Sequence, residues 1–346
     1  ILSSVENSEL TYEKKHELNI GAEIGFIDNR INIEADWYTR NNFDLIGLIY
    51  TKGTGGQLAK FANVASMKSS GVEFTVSTRN IKTKDFSWNT DFIFSHTKNE
   101  VTDLQSNASV MDMISGNGFA MEGYPVRALF SMDFQGLNEN GYPTFINEKG
   151  QLTVSDINFQ EQLKKDHLVY EGPTDPTMTG SLGNIFRYKG FTLNAFITYS
   201  FGNVIRLDPV FHNVYSDLDA MPREFINRWT TGGDEKVTNV PVIADKRANQ
   251  QDPYLSYAYN AYNYSTERIA KGDFIRMKEL SLSYNFPKKM ISRLKVNDLS
   301  LKIQATNLFL IYSDKKLNGQ DPEFFNTGGV ASPVPRQFTL TLRLGI

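Results

Sequence analysis

His16-Glu17-Leu18-Asn19-Ile20-Gly21-Ala22-Glu23-Ile24-Gly25-Phe26-Ile27, then Asp28-Asn29-Arg30, then Ile31-Asn32-Ile33-Glu34-Ala35-Asp36-Trp37-Tyr38-Thr39-Arg40 is the run that decides the fold. Leu18, Ile20, Ala22, Ile24 and Phe26 alternate with Glu17, Asn19, Gly21, Glu23 and Gly25. Past the polar turn, Ile31, Ile33, Ala35 and Trp37 alternate with Asn32, Glu34, Asp36 and Tyr38. Side chains on a strand point to opposite faces in turn, so each arm is a strand with one oily and one wet face.

The same period recurs outward along the chain. Phe86–Thr97 and Phe191–Phe201 repeat it, and further strands read at about Ser69–Asn80, Val126–Leu137, Tyr142–Asn147, Thr179–Tyr188, Asp273–Phe286, Leu299–Phe309 and Arg336–Ile346. That gives about eleven strands, with boundaries good to roughly 2–4 residues. Lengths of about 10–12 residues suit tilted membrane strands, which need roughly 9–11. Strands of soluble proteins average about 5–6.

The connections alternate between short and long. Short ones are Asp28–Arg30, Ile81–Asp85, Glu139-Asn140-Gly141, Lys189-Gly190 and Pro287–Asn297. Long ones run at about Asn41–Lys68, Glu100–Pro125, Glu148–Met178, Gly202–Gly272 and Leu310–Pro335. Long loops on one side and tight turns on the other are the habit of outer-membrane barrels. A sheet in lipid must close on itself to satisfy its backbone groups. An odd number of strands cannot make a whole even-stranded barrel, so the reading is a C-terminal part of a longer chain. Within the longest loop, Asp217–Trp229 spaces Leu218, Met221, Phe225, Ile226 and Trp229 like a helix.

Composition narrows the classes. The 346 residues carry 36 Lys plus Arg against 39 Asp plus Glu, a formal net charge of −3, which gives no basic field for a nucleic-acid backbone. No window approaches the roughly 18 apolar residues of a spanning helix. Aromatics at 12% are too rich for disorder. The absence of cysteine removes disulfides, thiolate zinc sites and thiol nucleophiles together. The chain opens at Ile1 with no leader pattern, as expected of a processed chain or a piece of a longer one.

Toward the C-terminus the wording becomes specific. Lys271-Gly272-Asp273-Phe274-Ile275-Arg276-Met277-Lys278-Glu279-Leu280-Ser281-Leu282-Ser283-Tyr284-Asn285-Phe286-Pro287 resembles the late-barrel signature of the SusC/RagA family of TonB-dependent outer-membrane transporters. Ala305-Thr306-Asn307-Leu308-Phe309, Asp321-Pro322-Glu323 and Pro335-Arg336-Gln337-Phe338 are similar to the strand, loop and final strand that follow in that family. Upstream, Trp88-Asn89-Thr90 with Thr97-Lys98-Asn99, and Arg228-Trp229-Thr230, match in order and spacing. The closing Leu344-Gly345-Ile346 departs from the Phe that often ends outer-membrane strands. The resemblance implies an all-β chain, the C-terminal half of a transmembrane antiparallel barrel of about 22 strands. It implies that residues 1–346 form one barrel part, with the plug and the N-terminal barrel strands lying in a preceding part of the same protein. It further implies a bacterial outer-membrane location, outer-membrane lipid around the wall, a SusD-like surface lipoprotein as lid and a TonB complex as energy source.

Candidate chemistry is sparse. His16, His96, His167 and His212 are scattered without metal-ligand spacing, so no metal site is expected. No G-x-S-x-G elbow occurs, Gly53-x-Gly55-Gly56 lacks the Lys-Ser/Thr of a phosphate loop, and Asn138–Gly141 reads as a turn rather than a calcium loop. Asp217 with Asp219, and Asp234 with Glu235, have no accompanying site. No catalytic residue, cofactor or enzyme activity is expected. The functional bet is Tyr254, Tyr257, Tyr259, Tyr262 and Tyr264, five phenols in eleven residues of the longest loop, with Trp229 nearby. Aromatic faces stack on sugar rings and phenols bond hydroxyl or peptide groups. The competing reading packs these rings within the loop or against a lid. Trp37, Tyr38, Tyr188, Tyr199 and Tyr284 read as interfacial girdles, and Glu34, Asp91 and Asn194 as wet lumen positions.

The expected function is active import of oligosaccharides, with oligopeptides as the alternative. A passive porin or adhesin barrel, and a soluble carbohydrate-binding β-protein or glycosidase, are the rivals from other classes. The soluble reading requires the oily rows to face one another in a core.

Overall fold

The computed structural model describes residues 7–50, 59–105, 108–215, 218, 221–292, 296–324 and 333–345. In chain order, β1 (Lys14–Phe26), β2 (Ile31–Tyr50), β3 (Ala59–Lys82) and β4 (Phe86–Leu104) come first. A short helix α1 (Val110–Ile114) and the brief strands β5 (Ala128–Met132), β6 (Phe134–Leu137), β7 (Pro143–Ile146), β8 (Leu152–Thr153) and β9 (Leu168–Pro173) follow. Then come β10 (Met178–Tyr188), β11 (Phe191–Phe201), β12 (Val204–Arg206), α2 (Lys246–Gln251), α3 (Leu255–Asn263) and β13 (Ile269–Lys271). The chain closes with β14 (Phe274–Asn285), α4 (Lys288–Ile291), β15 (Asp298–Ser313) and β16 (Gln337–Gly345).

Nine of these strands pair, all antiparallel, into one sheet in the order β1-β2-β3-β4-β10-β11-β14-β15-β16. Its register lines up the oily rows. Ile24 pairs with Ile33, Ile33 with Val76, Val76 with Phe92, Phe92 with Leu182, Leu182 with Ile197, Ile197 with Met277 and Met277 with Phe309. A parallel file runs Leu193–Leu282–Ile303–Leu340. These side chains are not buried against one another. Ile24 is 50% exposed, Ile303 53% and Leu340 69%. A contiguous exposed apolar face of this extent is a membrane surface. The opposite face carries Glu23, Glu34, Asp36, Glu73, Asp91, Asn194 and Lys302, as in a wet lumen. No helix among the described residues is long and apolar enough to cross a membrane.

The strand count differs from the sequence reading. Val126–Leu137 and Tyr142–Asn147 do not join the wall; they become β5, β6 and β7 of two small separate sheets. Period two marks a strand but not the sheet it joins. Removing two strands keeps the parity, so links 27–30, 83–85, 189–190 and 286–297 still alternate with 105–177, 202–273 and 314–336. The turn at Glu139–Gly141 therefore lies on the long-loop side. Strands β2, β3 and β4, of 20, 24 and 19 residues, run well past the roughly 9–11 that span a bilayer and rise beyond it.

Two smaller expectations are corrected. Tyr38 does not sit in the lipid girdle with Trp37. It lies on the other face, 5% exposed, where its hydroxyl and Thr97 Oγ1 are 2.7 Å apart. A Cβ at Gly71 would strike that ring. Where the sequence predicts a helix over Asp217–Trp229, the described residues hold only a 3-10 turn at Arg223–Asn227, begun by extended Pro222. A proline disfavours helix in the residue before it and offers no amide of its own. Asp217, Asp219 and Gly53–Gly56 lie outside the described residues.

The long loops 105–177 and 202–273 fold together above the wall. Val110, Ile114, Met132, Phe145 and Ile157 of the first meet Phe211, Phe225, Leu255, Ala258, Tyr259 and Tyr262 of the second in one buried core. Polar ties fix the dock. Arg206, 5% exposed, donates to Phe130 O at 2.6 Å, Ser265 O at 2.7 Å and Ser131 Oγ at 3.1 Å. Within the second loop, Asn263 both accepts from the Phe211 amide and donates to the Phe211 carbonyl, at 3.0 and 2.8 Å, and so holds the docking face in shape.

Candidate functional site

The tyrosine run is helical, and the helix divides it. Leu255, Ala258, Tyr259 and Tyr262 fall three or four residues apart, so α3 turns them to one side. That side enters the loop core, leaving Tyr259 1% and Tyr262 3% exposed. The Tyr259 hydroxyl donates to the Val242 carbonyl. Tyr262 packs edge-on against Phe134 and Phe211, with centroids 5.5 and 4.9 Å apart. Burial pushes both phenols well above the usual tyrosine range. Tyr264 is half-buried under the Arg206 guanidinium, 5.9 Å from the ring centre.

Tyr254 and Tyr257 stand on the other side, 61% and 44% exposed. Their rings are 5.8 Å apart, and Phe159 lies edge-on to Tyr257 at 5.9 Å. The three rings form a half-open aromatic ledge on the outer unit. Trp229 lies apart from it, against the backbone of Gly141, with its indole N–H donating to Glu235 Oε2 at 3.1 Å. Gly141 has φ +77° and a Cβ there would enter the indole, so the turn needs glycine twice over. The sequence thus grouped six rings that the fold separates into an exposed pair, a buried pair and two packed singly.

A cavity of about 570 Å³ opens where the outer unit meets the polar face of the wall. Thr179, Thr198, Ser200 and Lys278 line it from the strands, Arg127, Asp175 and Asn203 from the long loops, and Glu323 from the last loop. The last loop is strapped down. Arg276, on β14 and 4% exposed, meets Asp321 and, at 2.7 Å, Glu323 Oε2. In the sequence Asp273–Phe286 and Asp321-Pro322-Glu323 stand as separate features; the charge complementarity of Arg276 with two acids is the signal that they touch. Among the described residues no group of three or more His, Cys, Asp or Glu stands ready for a metal ion.

No protein-family model matches the chain. The TonB-dependent receptor P3 of Formosa agariphila is 24% identical over 337 residues, covering 93% of this chain and 32% of the relative. The TonB-dependent receptor SusC of Bacteroides thetaiotaomicron is 26% identical over 357 residues, covering 98% of this chain and 32% of the relative. Among solved structures, the RagAB peptide transporter superposes with TM-score 0.77 at 22% identity, over 99% of this chain and 36% of that one. The chain thus spans about a third of the relatives it matches.

Proposed function

We propose that this chain, a member of the SusC/RagA family of TonB-dependent outer-membrane transporters, forms the C-terminal barrel part of an oligosaccharide importer. In this reading the nine-stranded wall and the long loops make part of a closed barrel and part of its outer binding face. A preceding part of the same protein supplies the plug and the remaining strands. A SusD-like lipoprotein covers the outer unit, and a TonB complex supplies the energy that moves ligand inward. The chain itself performs binding and guidance, not covalent chemistry.

Two edges support the division of the barrel. The nine-stranded sheet leaves β1 at one side and β16 at the other, each paired on one edge only among the described residues. Unpaired ladders cannot stand in hydrocarbon, so further strands of the same barrel complete them.

The exposed Tyr254–Tyr257 pair with Phe159 carries the substrate reading. A ledge of aromatic faces with phenol tips suits sugar rings, whose faces are apolar and whose rims are hydroxyls. The test is uptake of labelled oligosaccharides and oligopeptides by cells carrying the full-length receptor. Tyr254→Ala with Tyr257→Ala is expected to lower saccharide uptake about tenfold, roughly the loss of two ring contacts, with unchanged receptor abundance. Unaltered saccharide uptake, with oligopeptide uptake lost, assigns the ledge to peptides and overturns the saccharide reading.

A further inference from the structure

The cavity between the outer unit and the wall is lined by a lysine, Lys278, whose ammonium makes no direct ion pair among the described residues. Four charged side chains line it: Arg127, Asp175, Lys278 and Glu323. Asp175 is held by Arg127 at 2.6 Å, and Glu323 by Arg276 from behind at 2.7 Å. Among the described residues Lys278 makes no hydrogen bond or ion pair. Its position comes from a break in the ladder. Against β11 the ladder passes from Met277 to Glu279 and leaves Lys278 as the extra residue of a bulge, while on the β15 side Lys278 faces the two unpaired positions Asn307 and Leu308. Bulges re-aim a side chain out of the alternation, and this one puts a lysine on the cavity wall.

The remaining lining adds a second preference. Asn203 contributes a buried Oδ1 with no partner, an acceptor suited to a hydroxyl. Gly272 makes room for that amide, since a Cβ there would overlap it. Thr179, Thr198 and Ser200 add hydroxyls, and Phe274 an apolar surface. The volume falls within the roughly 300–1,000 Å³ of ligand pockets.

We infer that this cavity is a subsite for an acidic sugar unit, whose carboxylate or sulfate pairs with Lys278 while a ring hydroxyl donates to Asn203. The inference rests on the saccharide-importer reading and adds a charge preference to it.

The test uses the full-length receptor with its lipoprotein partner in detergent at low ionic strength. The probes are tetragalacturonate, its neutral methyl ester, a galactan tetrasaccharide with and without 6-sulfate, and an aspartate-rich peptide. One charge-assisted hydrogen bond is worth about tenfold or more in affinity. At least one acidic saccharide is expected to bind about tenfold tighter than its neutral form. Lys278→Gln is expected to erase that difference and Lys278→Arg to keep it. Which of the two acidic saccharides gains identifies carboxylate or sulfate as the partner. Equal binding of acidic and neutral forms, or an acidic preference that survives Lys278→Gln, overturns the subsite and leaves the importer reading standing. Binding of the peptide with no saccharide bound overturns the saccharide reading itself.

Discussion

His167 sits half-buried just before β9, with its Nδ1 unpartnered among the described residues. Burial lowers its pKa below the ordinary histidine value, against weaker attraction from Glu148 and Glu161. Between the lowered folded value and the ordinary unfolded one, the unfolded chain binds more protons. Stability therefore rises with pH across that window and falls on acidification. A tenfold difference in proton affinity between the folded and unfolded chain is worth about 1.4 kcal/mol. Moving from about pH 7 to about pH 5, where an ordinary histidine charges, is expected to speed amide exchange over Leu168–Pro173 in the intact receptor. His167→Gln should flatten that dependence. An unchanged slope in the variant would place the acid sensitivity elsewhere.

Among the elements, the strap across the last loop is the most demanding contact. Arg276 is buried with Asp321, and Glu323 adds a second, more exposed acid. Removing one member of a buried pair strands the other, at about 3–5 kcal/mol. Arg276→Ala is expected to free residues 314–324 to protease and to amide exchange. Arg276→Met with Asp321→Leu should restore much of the protection, because an apolar pair leaves no stranded charge. If Arg276→Ala leaves the loop as protected as before, Leu317, buried beside Ile205, Leu207 and Ala270, holds it alone.

The same elements show what the residues made legible. The wall strands are readable because each buries nothing on one side and must alternate; β1, β11 and β14 lie within a few residues of their sequence reading. The outer unit was harder. β5 to β7 alternate too, yet their apolar residues face a core built from a partner loop far along the chain, as where Phe134 meets Tyr262. In α3 a helical spacing is present at Leu255, Ala258, Tyr259 and Tyr262, but five tyrosines in eleven residues fit a binding surface as well as a core. Tyrosine serves both ends, since its ring packs and its hydroxyl finds a carbonyl. Which phenols remain outside depends on the packing of two loops, which local sequence does not state.

For the whole molecule, the claim with most consequence is that the apolar file through Leu282, Ile303 and Leu340 meets acyl chains. Neighbouring positions on one strand then answer the same mutation differently. Ile303 lies on the oily face and Gln304 on the other, paired with Ser281 and Thr339. A lysine facing lipid near the bilayer midplane costs about 2–4 kcal/mol, while lumen positions tolerate charge. In the full-length receptor, Ile303→Lys is expected to lower the free energy of unfolding from vesicles by this amount. Gln304→Lys should leave folding near wild type, because its ammonium stays in water beside Lys302 and Glu279, themselves 3.8 Å apart. The measurement is heat-modifiable migration after refolding across a urea series. Equal losses at both positions would mean that the two faces share one environment, and a barrel in lipid does not allow that.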